Sequence, residues 1–138
     1  MTNHILVALK GVIVNEGKAL IVQRADDDEI GGGTWECVGG QIEFGEDLET
    51  ALLREIQEEV SLNVTIEQIL YATTFEAAPT RQVIIITYLC SSQHRKVVLS
   101  KEHSNYTWAP TEQLRQLLPV NILNDFEKNN IFSLEALK

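Results

Sequence analysis

Glu55, Glu58 and Glu59 stand three and four residues apart in a stretch with helical periodicity, a spacing that makes side chains neighbours on one helix face. Like charges so placed destabilise a helix by a few tenths of a kcal/mol per pair. Burying any one carboxylate alone costs on the order of several kcal/mol more. A hard cation with oxygen ligands offsets both costs, and Mg²⁺, with Mn²⁺ as the alternative, is the natural occupant. The nearest cation in sequence is Arg54, which reaches Glu58 at i+4. Taken by itself, the helix fits a solvated acidic face equally well, because Glu is common on exposed helices.

The helix that must position these groups runs over residues 47–60. Leu48, Leu52, Ile56 and Val60 recur every four residues with Leu53 beside them, and acidic residues fill the first turn. At about 100° per residue the apolar side chains cover one arc, with Glu55 and Glu59 at its edge and Glu58 just outside. Before the helix, residues 5–14 and 18–24 form a β-hairpin about Asn15-Glu16-Gly17. A polar, glycine-rich loop covers 26–33, and 35–38 and 41–44 are short extended pieces around Gly39-Gly40. After the helix, strands are expected at 62–75, at 82–90 (a β-branched run suited to burial on both faces) and at 106–108. Helices follow, one opened by Pro110-Thr111 and one over 121–132. Strands, helix, strands, helices in that order give one mixed α/β domain of the α+β type over residues 1–138.

Composition narrows the partners. With 138 residues there is room for one substantial core. A formal net charge of −9 with scattered Lys and Arg excludes a nucleic-acid polymer as the expected partner. A small phosphorylated substrate stays compatible if a divalent cation mediates the contact. No apolar run approaches the roughly 20 residues of a membrane span, and Met1-Thr2-Asn3-His4 does not resemble a signal peptide. Cys37 and Cys90 are the only cysteines, which suits a reducing compartment. The expectation is a cytoplasmic protein, with a homodimer left open.

Gly40, Glu46, Arg54, Glu55, Ile56, Glu58, Glu59 and Leu62 fall in one register. That register resembles the box of the Nudix hydrolases, G-x5-E-x7-R-E-U-x-E-E-x-G-U with U apolar. Eight of the nine specified positions match, and Ser61 replaces the second glycine. Val38 stands where a proline often precedes the two glycines, and the order of strands, with Glu102-His103 before Tyr106-x-Trp108, is similar to short MutT-like members.

The resemblance implies an α/β/α sandwich with a mixed sheet, the box (40–62) serving as a loop–helix–loop metal platform. It implies Mg²⁺-dependent hydrolysis of a diphosphate linkage in a small nucleotide-like substrate. Glu58 and Glu59 match metal ligands, and Glu55 matches a position that binds metal or activates water. The Gly39 carbonyl matches a backbone ligand. Arg54 would orient the carboxylates, Glu46 would stabilise the loop and helix start, and Glu102 would be a further ligand or the general base. A nucleoside triphosphate leads among substrates, giving a monophosphate and pyrophosphate. ADP-ribose or another nucleoside-diphosphate-X compound is the alternative within the class. A non-catalytic nucleotide sensor is the alternative outside it, disfavoured by the intact carboxylates.

Four further positions carry expectations. Serine at 61 would cost about 1 kcal/mol in the left-handed conformation that a glycine there supplies. Asn121 either reads a base, as in some MutT-like enzymes, or, the preferred reading, caps the last helix. Trp35 is a candidate for stacking a base, although core packing is the commoner use of an aromatic. His4, His94 and His103 share no metal-ligand spacing and are assigned structural or surface roles.

Overall fold

The computed structural model describes residues 2–27 and 31–138, so residues 28–30 of the expected 26–33 loop lie outside the described residues. Strand β1 (His4–Asn15) turns into β2 (Lys18–Arg24) through Glu16 and Gly17, at φ 49° and 79°. Two successive positive φ values are what a tight hairpin needs to match strand twist. The two strands stay paired only where Ile13–Asn15 face Lys18–Leu20.

Beyond that they fork, and the fork is filled. β4 (Val38–Gln41) runs antiparallel to β1 from Ala8 to Gly11, while β3 (Trp35–Glu36) pairs with Val22 and Gln23 of β2. Gly39 and Gly40, expected between two extended pieces, therefore lie inside β4. The reason is steric: a Cβ at Gly39 would fall on the Leu9 carbonyl, so only glycine lets β4 approach β1 this closely.

The hairpin of β5 (Thr65–Ala78) and β6 (Arg81–Ser91) completes one side of the sheet, β6 running parallel to β1 from His4 to Val14. β7 (His103–Ala109) covers the other edge of β2. The sheet is seven-stranded and mixed. β6 is covered on both faces, as its composition suggested: Tyr88 and Cys90 join one side of the core, Leu89 packs against the other, and Val83 and Thr87 stay buried although they line a cavity.

Alternation along β1 divides the core. Leu9 and Ile13, with Leu20, Val22 and Val38, pack beneath Leu52, Ile56 and Val60 of α1 (Leu48–Val60). Val12 and Val14, with Ile21, pack beneath Leu114 of α2 (Thr111–Leu117) and Phe126 of α3 (Val120–Lys128). Each fully buried Leu or Ile contributes about 1.5–3 kcal/mol, which fixes the expected α/β/α layering. The Phe126 ring sits edge-on to Tyr71 of β5, centroids 6.5 Å apart, and so pins α3 over the sheet.

The helix ends follow local chemistry, with two corrections. Asp47 caps α1, its Oδ1 accepting the Thr50 N–H at 2.8 Å. Ser61 ends it at φ 60°, ψ 39°, the left-handed conformation expected there. Asn121 does not cap α3. Pro119 holds that place with its preset φ of −69°, and its carbonyl accepts the N–H groups of Ile122 and Leu123. Nor does α3 reach 132: Asn129 Nδ2 bonds the Asp125 carbonyl and Asn130 turns left-handed, leaving Ile131–Ser133 as a separate 3₁₀ turn. No described helix is long and apolar enough to cross a membrane.

Candidate active site

Four carboxylates from the sequence argument, Glu55, Glu58, Glu59 and Glu102, line one cavity of about 1000 Å³ together with Gly39 and Gly40. The first three come from α1, and the helix orients each differently. Glu58 is exposed, Glu55 is half-buried, and Glu59 is 5% exposed. Glu59 is buried because the wheel places it at the border of the apolar stripe that faces the sheet.

Arg54 gathers the outer carboxylates. Its Nε donates to Glu46 Oε2 at 2.7 Å and its Nη2 to Glu46 Oε1 at 2.8 Å, a bidentate pair. Its Nη1 reaches Glu55 Oε1 at 3.0 Å and Glu58 at 3.4 Å, and its Nη2 also donates to the Gln41 carbonyl at 3.2 Å. Glu46 Oε1 accepts the Glu43 N–H at 2.8 Å, closing the loop before α1. The Arg54 hydrogen bonds, helped by that N–H, hold the Glu46 carboxyl at about 2. The roles expected for Arg54 and Glu46 fit this geometry.

Glu55 experiences the opposite balance. Burial, with the charges of Glu58 and Glu59, raises its pKa against the pull of Arg54. Its carboxylate lies against the backbone of Gly40, where an added Cβ would fall on it. Gly40 is therefore a cradle for the Glu55 head group as well as a strand residue.

Glu59 is held by residues distant in sequence. Ser100 Oγ donates to its Oε2 at 3.0 Å, and His103 Nδ1 lies 3.0 Å from the same oxygen. Burial would raise the Glu59 carboxyl, but the close approach of His103 and the hydrogen bonds of Glu102 and Ser100 reverse that and keep it low. Glu102 moves the other way: its hydrogen bond to anionic Glu59, and that charge, raise its pKa. Of the two, Glu59 is the stronger acid.

The other half of the centre was not legible in the sequence. His103, set aside there, has a side chain only 6% exposed, with Nε2 2.9 Å from Glu36 Oε2. Lys10 Nζ and Arg24 Nη1 meet Glu36 Oε1 at 3.3 and 3.2 Å. Burial alone would raise Glu36, yet Lys10, His103 and Arg24 hold it at about 2. Burial likewise disfavours charged His103, but its hydrogen bond to Glu36 and the nearby Glu59 carboxylate lift it to about 9. Only strand pairing brings these groups together: Val22 faces Glu36, and Arg24 faces His103. A histidine next to a candidate carboxylate, Glu102-His103, was the one local signal.

The donors suit a hard divalent cation: oxygen ligands, a carboxylate whose pKa is raised by its neighbours, and a cradle that only glycine provides. Among the described residues, no three acidic, histidine or cysteine side chains are drawn close enough to clasp a metal as they stand. Arg54 and His103 occupy part of the carboxylate oxygens instead. The remaining expectations divide. Asn121 is exposed on α3 and lines the cavity with Ile122, Asn124 and Asp125. Trp35 packs against the α2–α3 side of the core and is not among the residues lining the cavity.

The sequence matches the NUDIX domain model over residues 5–127. It is 32% identical over 113 residues to the nucleoside triphosphatase NudI of Escherichia coli O17:K52:H18, covering 75% of this chain and 80% of that one. The fold is similar to that of the MutT protein from Methanosarcina mazei Go1, with TM-score 0.86 and 25% identity over 98% of this chain and 99% of that one. It is also similar to an Ap4A hydrolase of C. elegans, with TM-score 0.75 and 23% identity over 92% and 96% of the two chains.

Proposed function

The chain belongs to the NUDIX family and is a pyrophosphohydrolase, and we propose that it cleaves nucleoside triphosphates with Mg²⁺, releasing a monophosphate and pyrophosphate. Members of this family generally act on small nucleotide substrates with a divalent metal. The observation that carries the reading is one cavity lined both by Glu55, Glu58, Glu59 and Glu102 and by Asn121, Asn124 and Tyr71. The name of the NudI relative supports a triphosphate.

In this reading residues 1–138 act as one domain, with the box over 40–62. Glu58 and Glu59 are the principal ligands, with Glu55 and the Gly39 carbonyl completing an oxygen set. When bound, Mg²⁺ supplies positive charge against the phosphate oxygens and makes a water easier to ionise. Glu59, kept anionic by His103 and Ser100, suits ligation. Glu55 and Glu102, the two site carboxyls whose pKa is raised, are the more basic of the set and suit proton acceptance. Arg54 fixes the outer carboxylates in place beside the cavity.

A panel of ribo- and deoxyribonucleoside triphosphates, ADP-ribose and a dinucleoside polyphosphate tests the proposal, with and without Mg²⁺ and with products identified by mass. Monophosphate and pyrophosphate from triphosphates, abolished by chelator, is the expected result. Turnover of ADP-ribose alone would move the assignment to a diphosphate-X hydrolase, and full activity in excess chelator would overturn the metal.

A further inference from the structure

Hydrolysis of a diphosphate does not in itself call for a buried histidine between two carboxylates. Here Glu36 divides its oxygens: Oε1 takes Lys10 and Arg24, and Oε2 takes His103 Nε2 at 2.9 Å. The opposite ring nitrogen faces Glu59, so charges alternate from Lys10 and Arg24 through Glu36 and His103 to Glu59. As a device for holding strands together this is a poor choice. Buried ion networks are commonly matched or bettered in stability by apolar residues of similar volume.

Two details point at Glu59 instead. Every link of the chain ends on a single carboxylate of α1, although the groups come from β1, β2, β3 and β7. The last link is also incomplete. Nδ1 is 3.0 Å from Glu59 Oε2, within ion-pair reach, yet off the direction of a hydrogen bond, and it is a buried polar atom with no hydrogen-bond partner. A buried N–H without an acceptor has given up water and gained nothing in return. A small turn of the Glu59 carboxylate would supply that acceptor.

We propose that His103 is a positioning residue for Glu59, anchored by Glu36, and that its Nδ1–H bond closes when the Glu59 carboxylate turns to take a divalent cation. This deepens the function proposed above and rests on Glu59 being a ligand. His103 touches neither substrate nor cation. It sets the orientation of the group that does, as partners beyond the ligands do at other metal sites.

Mn²⁺ binding to the full chain without nucleotide, followed by electron paramagnetic resonance or calorimetry, tests this apart from turnover. His103→Ala and Glu36→Gln should each weaken Mn²⁺ binding by about 10–100-fold. They should lower kcat while leaving KM for the nucleotide nearly unchanged. His103→Gln, which restores one donor, should recover part of the loss. Glu36→Gln keeps shape and volume, so it decides the matter if His103→Ala does not fold. Folded His103→Ala and Glu36→Gln proteins that bind Mn²⁺ as wild type does would overturn the inference while leaving the function intact. Wild-type protein that binds no Mn²⁺, or Glu59→Gln protein that binds it normally, would instead remove the ligand assignment and this inference with it.

Discussion

Gly39 and Gly40 are adjacent in β4, yet substituting each by alanine should have different consequences. At Gly39 the new Cβ would meet the Leu9 carbonyl and the Lys10 Cα, all backbone of the paired strand. Neither strand can yield alone, because β1 is also paired with β6 along nearly its whole length. Overpacking costs about 1–3 kcal/mol where side chains can adjust, and occasionally more, so a backbone collision belongs at or above the upper end. With roughly 2–4 °C of melting temperature per kcal/mol for a domain near this size, Gly39→Ala should melt about 10 °C lower. At Gly40 the atoms nearest the Cβ would be those of the Glu55 carboxylate, the far end of a flexible side chain. The fold should lose little, a few degrees at most. The Glu55 head group must move by about 1 Å, however, and a displacement of that size costs on the order of 100-fold in rate. Melting curves in chelator and steady-state kinetics with Mg²⁺ on both variants make the comparison. A Gly40→Ala enzyme with wild-type kcat, or a Gly39→Ala protein as stable as wild type, would refute the reasoning.

Glu58→Gln should melt within about 2 °C of wild type in chelator, since it loses only an exposed i,i+4 contact with Arg54 worth a few tenths of a kcal/mol. Its melting temperature should rise much less on adding Mg²⁺, and kcat should fall by orders of magnitude. An undiminished Mg²⁺ shift would remove Glu58 from the ligands. Ser61→Gly relieves a left-handed serine, worth about 1 kcal/mol, but gives up the Ser61 Oγ bond to the Val98 carbonyl at 3.2 Å. The net change in urea unfolding should stay below about 1 kcal/mol, with kcat unaltered, and a larger loss would show that the serine bond dominates. The folded pKa of Glu36, about 2, is below its ordinary 4.5. Its contribution is therefore complete above pH 4.5 and disappears as pH falls through 2. The stability gap between wild type and Glu36→Gln should shrink over that interval in urea titrations, and a gap independent of pH would contradict the ion network.

Local spacing along the chain was enough for everything that depends on one helix or one strand. The 3.6-residue period put Glu59 at the border of the apolar stripe and Glu58 outside it, and burial follows that order. The period starts the helix one residue too early, since Asp47 caps it, and leaves the left-handed end at Ser61 as one of two ways for it to finish. Alternation and β-branching located the strands to within a few residues. Sequence could not show that β1 and β2 fork, because the fork depends on a backbone approach at Gly39 that only the facing strand reveals. It misplaced Asn121 because proline and asparagine compete for the same cap, and which one wins depends on where α3 must start to seat Phe126 against Tyr71. It left Trp35 between stacking and core packing, a choice that depends on the face β3 turns toward α2 and α3. Above all, it left Glu36, His103 and Glu59 unconnected. His103 and Glu36 are separated by 67 residues and Ser100 and Glu59 by 41, and no local period links such positions. The register of β7 on β2, and of β2 on β3, decides whether two charges that far apart become neighbours or strangers.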